Sequence, residues 1–386
     1  MSARLPKAWV GSLAWPGAPL AILSAALFGA STPFAKLLLG NGVSPWLLAG
    51  ILYLGSGIGL FVVHLVRGLK GIGVAEASLK RSDLPWLGLV VLTGGAIGPV
   101  LLMIGLSSTS ASSAALLLNL EGLATMTIAW LVFRESVDRR LMLGAAAILA
   151  GALLISWQGA VGGVGLGALA ITGACLAWGI DNNLTRKLSS ADPVQIALIK
   201  GLVAGSVNLA LALALGARMP PFPPLAGAAI VGFLGYGVSL VFFVLGLRRL
   251  GAARTGAYFS AAPFIGAILS LLIFKEPLTA RLIAAGGLMA LGLYLHLTER
   301  HVHTHTHEPL DHSHGHVHDE HHQHVHHRAD PAGEPHSHRH HHAPMRHKHP
   351  HYPDIHHRHD HENINNPDRT VDVRNGSQSR DTPLSR

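Results

Sequence analysis

Ten apolar runs follow one another along the chain, near residues 18–39, 45–66, 84–106, 112–133, 141–157, 165–187, 194–216, 225–247, 255–274 and 282–298. Most reach the ~20 residues that a helix needs to cross a bilayer. The fifth and tenth are shorter, at 17 residues each. Charged residues make up 13% of the chain, against about 25% in a soluble domain. In lipid a backbone must satisfy its own hydrogen bonds, so serial runs of this length predict helices. The expected fold class is an all-α membrane protein of ten transmembrane helices, with the lipid bilayer as its obligatory partner. Short connections make consecutive helices antiparallel. Small residues, as in "GAAAILAGALL" from Gly144, let such helices approach closely.

The basic residues orient the bundle. With the N-terminus in the cytoplasm, the inner set is Arg4, Lys7, Arg67, Lys70, Lys80, Arg81, Arg134, Arg139, Arg140, Arg186, Lys187, Arg248, Arg249 and Arg254. The outer set is Lys36, Arg218, Lys275 and Arg281. Fourteen against four, leaving aside Lys200 within a span and the tail, is the bias expected of cytoplasmic loops. Ten spans then place both termini in the cytoplasm, in a multi-pass protein of the cell's inner (plasma) membrane. Arg4 and Lys7 resemble the start of a signal peptide, but the first run continues into further spans, so no cleaved signal is expected. The single cysteine, Cys175, excludes a disulfide framework and a CxxC metal motif. The sequence pI near 9.9 comes partly from loop arginines. No interleaving of basic and aromatic residues points to nucleic acid.

The membrane part also repeats itself. "GLSSTSASSAALLLNLEGLATMTIAWLVFRESVDRR" from Gly105 aligns with "GLRRLGAARTGAYFSAAPFIGAILSLLIFKEPLTAR" from Gly246 at a constant offset of 141. The alignment pairs Phe133 with Phe274, Glu135 with Glu276 and Arg140 with Arg281. "FGASTPFAKLLL" from Phe28 matches "WGIDNNLTRKLS" from Trp178 at an offset of 150. The predicted divisions are a cytoplasmic N-terminus at 1–17, five-helix halves at 18–157 and 165–298, and a tail at 299–386. Five spans per half force the halves into opposite orientations. Inverted repeats of this kind are a transporter architecture, with the binding site near the midplane between the halves.

These residues resemble the drug/metabolite transporter superfamily in its EamA-like ten-helix form. The likeness is carried by "FGAS" and "AWGID" opening the first and sixth spans, "FRE" and "FKEP" closing the fourth and ninth, and their order and spacing over about 18–298. It implies a secondary transporter, commonly an exporter of small solutes, and names no solute. The ninth span has Ala261-Ala262-Pro263, with a helix-breaking proline of a kind often found there in the family. The fourth has Leu120-Glu121-Gly122 at the matching positions, so its carboxylate has no counterpart in the other half.

Eight acidic residues precede position 298, and two of them, Glu121 and Asp181, fall within spans. A carboxylate facing lipid at mid-span costs at least ~2.5 kcal/mol. Each must therefore face a cavity, meet a partner or stay protonated. Glu121 is expected to bind substrate or a proton, or else to hydrogen-bond a neighbouring helix. Thr125 shares its face; Asn119, two residues away, points elsewhere. Asp181 lies at a depth similar to Lys200 of the next span. It reads as the partner of Lys200 in an ion pair, or as a substrate or coupling site, with Arg186 competing for it. Asn182, Asn183 and Asn208 are weaker candidates, of a type that often joins helices. Pro33 could kink the first span and free a carbonyl. His64 and His296 read as interfacial. Glu135 and Glu276 read as helix-end anchors tied to nearby arginines.

Between His301 and His361 lie twenty-five histidines among polar residues. Such a segment cannot bury a core and is predicted to be disordered. Neutral imidazole binds zinc, copper, nickel and cobalt. The first candidate ligands are His301, His303, His305, His307, His312, His314, His316, His318, His321, His322, His324, His326 and His327. An inert tail, or one that gains charge below about pH 6.5, are the other readings. No tightly bound cofactor is expected; transition-metal ions (nickel, cobalt or zinc) would be ligand or substrate. No nucleophile–base pair supports an enzyme. The function expected is export of a transition-metal cation by proton antiport, with the tail binding metal in the cytoplasm. The alternative is export of a small metabolite or amino acid, the tail only buffering or sensing metal. A bundle of this type is compatible with a homodimer.

Overall fold

In the computed structural model, residues 17–69, 79, 81–133, 139–157, 164–185, 188, 192–250, 252–297, 302–306, 310–316, 336–342 and 346–350 are described. The first half comprises α1 (Gly17–Gly40), α2 (Pro45–Leu69), α3 (Leu84–Val90), α4 (Gly98–Ser108), α5 (Ala111–Leu117), α6 (Asn119–Phe133) and α7 (Arg139–Ser156). The second comprises α8 (Leu166–Thr185), α9 (Pro193–Ala214), α10 (Phe222–Gly232), α11 (Ser239–Leu250), α12 (Ala252–Phe259), α13 (Ala262–Phe274) and α14 (Ala280–Leu297). Among the described residues, eight helical stretches are long and apolar enough to cross a membrane. Two predicted spans fall outside that set for local reasons. Asp181, Asn182 and Asn183 lower the apolar character of α8, and the ninth span is divided into α12 and the short α13. Large apolar side chains such as Val62, Leu131, Leu143, Leu272 and Ile283 are exposed on the bundle's outside, as a lipid-facing surface requires.

The halves interlock crosswise. α1 packs on α11 and α13 of the second half, and α8 packs on α4 and α6 of the first. The equivalent helices α2 and α9 pack on each other, as do α7 and α14. The α2–α9 contact is made backbone to backbone through glycines. A Cβ on Gly57 would lie 2.5 Å from Leu202 N, and one on Gly205 would lie 2.5 Å from Leu54 N. Without a hydrophobic force between helices in lipid, such close approach supplies the packing. Gly57→Val is expected to destabilise by about 1–3 kcal/mol, the range for overpacking. Thermal unfolding in detergent checks this against Gly88→Val, where an added Cβ meets nothing within 4 Å.

The repeat extends to irregularities of the backbone. The third and eighth spans each contain a π-helical turn, at Val91–Ile97 between α3 and α4 and at Phe233–Val238 between α10 and α11. At the offset of 141 these coincide. The fourth and ninth spans are each interrupted at matching places, Leu118 and Ser260–Ala261. Different chemistry produces the two interruptions. Pro263 has no N–H to continue the ladder. At its counterpart Gly122 the helix is weak, and the Asn119 side chain donates to Leu116 O at 2.8 Å, competing with the backbone ladder.

In the tail, β1 (Val302–Thr306) pairs antiparallel with β4 (Arg346–Pro350), and β2 (Leu310–His316) with β3 (His336–His342). Each is a two-stranded ribbon, short of the three strands that independent stability generally needs. His303 and His305 lie on β1, and His312, His314 and His316 on β2. His301, His307, His318, His321, His322, His324, His326 and His327 lie outside the described residues, as do Glu135 and Arg186.

Candidate functional site

The site is built where α8 crosses α6 and the π turn at Val91–Ile97. Glu121 occupies the first turn of α6, just after the interruption at Leu118. Asn182 on α8 donates its Nδ2 to Glu121 Oε1 at 3.0 Å and to Thr125 Oγ1 at 3.1 Å. Thr125 in turn donates to Glu121 O at 2.9 Å. The four-residue spacing brings Glu121 and Thr125 onto one face, as the sequence predicts. Asn182 is exposed and Glu121 only part-buried, so this polar triad is open at its edge.

Asp181 is turned the other way, into the protein. It pairs with Lys200 on α9, the two side chains being 7% and 16% exposed. The pairing predicted from depth alone is therefore present. Room for the carboxylate comes from Gly94 in the π turn: a Cβ there would lie 2.1 Å from Asp181 Oδ2. The same packing recurs in the other half, where Ser31, the counterpart of Asp181, lies against Gly235, the counterpart of Gly94. One half thus carries an ion pair where the other carries a serine.

A π turn leaves carbonyls without their usual helical donors, and here side chains supply them. Tyr53 donates to Gly94 O at 2.8 Å and Trp178 Nε1 to the same oxygen at 3.0 Å. Asn208 Nδ2 reaches Gly95 O at 3.3 Å. Tyr53 also stacks on Tyr236 of the opposite π turn, ring centroids 5.5 Å apart. Sequence reading missed Tyr53 and Trp178. The signal was present: glycines at 94 and 235, an offset of 141, mark both turns.

Asn183 donates to Thr125 O and Gly179 O, joining α8 to α6. His296 Nε2 lies 3.1 Å from Leu141 O, between α14 and α7. Asn119 faces away from Glu121, as expected, with Met289 Sδ 3.8 Å from its amide. Pro33 stays within a continuous α1, and the Gly29 carbonyl that it leaves undonated packs against Gly266. Glu276 differs from expectation. Its carboxylate accepts from Ala111 N at 2.8 Å, Ser112 N at 3.1 Å and the Ser112 hydroxyl. The free N–H groups opening α5 draw a negative charge, and so the acid caps a helix of the other half. At the same end, Lys36 donates to Leu106 O at 2.6 Å and Thr109 O at 2.9 Å, closing α4. Among the described residues, no three His, Cys, Asp or Glu side chains gather as a metal site.

The comparisons agree with this architecture. The EamA-like transporter family model matches twice, over residues 15–157 and 165–298. An uncharacterized transporter of Methanothermobacter thermautotrophicus is 30% identical over 292 residues, 72% of this chain and 84% of that protein. The uncharacterized transporter YyaM of Bacillus subtilis is 22% identical over 210 residues, 51% of this chain and 68% of that protein. One crystal structure is similar at a TM-score of 0.55 and 19% identity, covering 72% of this chain and 95% of that one, a likeness of fold alone. The two matched repeats, inverted and interlocked, place the chain in the EamA-like transporter family of the drug/metabolite superfamily: it is a multi-pass membrane transporter and not an enzyme.

Proposed function

We propose that the protein exports a small cation through Glu121, exchanging it for protons, and that the cargo is a transition-metal ion, nickel or cobalt first and zinc next. The carrying observation is the contrast between the two membrane carboxylates. Lys200 neutralises Asp181. The Glu121 carboxylate accepts from the Asn182 amide at the open edge of the bundle, with the Thr125 hydroxyl bonded to its main-chain carbonyl, and among the described residues no basic group forms an ion pair with it. A carboxylate left without a counter-ion in a membrane serves a cation or a proton. In this reading both termini are cytoplasmic, and the histidine-rich tail binds metal on the side from which it is removed.

A second reading has its own support. The hydrogen-bonding side chains at Glu121 are the Asn182 amide and the Thr125 hydroxyl, whereas imidazole and thiolate are the ligands that suit nickel and zinc best. The amide and the hydroxyl fit the ammonium of an organic cation or amino acid equally well, and the tail would then only buffer or sense metal. Flux into inverted membrane vesicles separates the two. Nickel, cobalt and zinc are offered beside labelled amino acids, with wild-type protein and with residues 301–386 deleted. The first reading expects metal flux that falls on deletion. Organic-solute flux unchanged by deletion, with no metal flux, would overturn it in favour of the second.

A further inference from the structure

Three charged side chains gather at the end of the bundle where α1 finishes and α14 begins, each set against main-chain atoms of a helix end. Glu276, in the connection between α13 and α14, accepts from Ala111 N at 2.8 Å, Ser112 N at 3.1 Å and the Ser112 hydroxyl, at the start of α5. Arg281 on α14 donates Nη1 to Trp157 O at 2.7 Å, just past the end of α7. Both links run from the second half to the first. Lys36 on α1 donates to Leu106 O at 2.6 Å, Ser107 O at 3.3 Å and Thr109 O at 2.9 Å, at the end of α4. The signs complement the helix ends, the acid on N–H groups and the bases on carbonyls. Lys36 and Glu276 grip one corner, residues 106–112, from two sides and attract each other across it. Lys275, which ends α13 and leads into Glu276, has a φ of 51°, a left-handed conformation uncommon outside glycine.

We propose that Glu276, Arg281 and Lys36 form a latch that holds this end of the transport path shut and lets go when the halves tilt into the opposite state. The links are of a kind that can be remade. Arg281 is exposed and Glu276 half-buried, so water replaces the lost partners at small net cost. The glycine seam between α2 and α9 is different: there backbone meets backbone, and parting it would strip contacts that nothing replaces. The seam is therefore the pivot and the charged end the part that opens. Inverted halves rock about a fixed site between two states, so a latch at one end calls for its counterpart at the other. The sequence supplies one: the repeat pairs Glu276 with Glu135, Arg281 with Arg140 and Lys36 with Arg186. The latch rests on the transporter architecture and not on Glu121 or the identity of the cargo.

The test uses the full-length protein in phosphatidylcholine nanodiscs and needs no cargo. Spin labels at Ser107→Cys and Leu278→Cys, both exposed and outside the latch side chains, report on the gap between the α4–α5 corner and the α13–α14 connection, in a Cys175→Ala background. The otherwise unchanged protein is expected to show a dominant short distance with a minor longer one. Glu276→Ala and Lys36→Met are expected to raise the longer component at least ~5-fold, as a shift between two existing states. Glu276→Gln, which keeps the side-chain volume, is read the same way and stands in if the alanine variant does not reconstitute. Gly57→Val, destabilised elsewhere, is expected to keep the unchanged protein's distribution. Latch variants that unfold at lower temperature but keep that distribution would overturn the proposal and leave Glu276 a static helix cap. A longer component that grows equally in Gly57→Val would overturn it too, since general loosening would then suffice.

Discussion

Glu121→Gln is expected to abolish cargo export while leaving the protein inserted and folded. Glutamine keeps the volume and can still accept from Asn182, so the α6–α8 contact survives. What goes is the charge and the exchangeable proton. A contact to a charged group contributes about 1.5–3 kcal/mol net, or roughly ten- to hundredfold in affinity, and loss of the proton site removes the coupling as well. Asn182→Ala removes the amide that orients the carboxylate and is expected to weaken transport without ending it. Metal accumulation in cells, normalised to protein in the membrane fraction, reads both. Wild-type protection by Glu121→Gln against nickel, cobalt and zinc would exclude this carboxylate as the carrier.

Lys200→Met should have the second largest effect, on stability. It strands the Asp181 carboxylate, 7% exposed and wedged against Gly94. Removing one partner of a buried pair costs about 3–5 kcal/mol, and the 16% exposure of Lys200 sets the expectation near the lower figure. The double variant Asp181→Asn/Lys200→Met removes both charges and should recover most of the loss, because an uncompensated charge is what hurts. Thermal unfolding in detergent measures this, and a Lys200→Met protein as stable as wild type would refute it. Transport by the double variant then decides the pair's role. Retained flux makes the pair structural; a folded but inactive double variant places it in the cargo path.

Charge capping at the bundle's end divides what could be read early from what could not. Glu276 was recognisable as one of two acids at equivalent span ends. Its partner was not, because the N–H groups of Ala111 and Ser112 carry no sequence signature and lie 165 and 164 residues away. The same holds for Tyr53 and Trp178. Their polar atoms are spent on Gly94 O, an acceptor that exists only because the span makes a π turn.

The lengths of the apolar runs placed ten helical segments within a few residues, eight of which are long and apolar enough to cross a membrane among the described residues, since such a length is set by membrane thickness alone. The offset repeat determined two opposed halves by counting. Polarity in the wrong medium singled out Glu121 and Asp181, and depth along adjacent helices suggested Lys200. Only the tertiary structure decided which carboxylate is paired and which is open. That choice depends on α8 turning Asp181 toward the π turn, where Lys200 reaches it from α9, and Asn182 toward α6, and on a glycine in the π turn making room for one acid. These are contacts between segments far apart in sequence, and no local pattern encodes them.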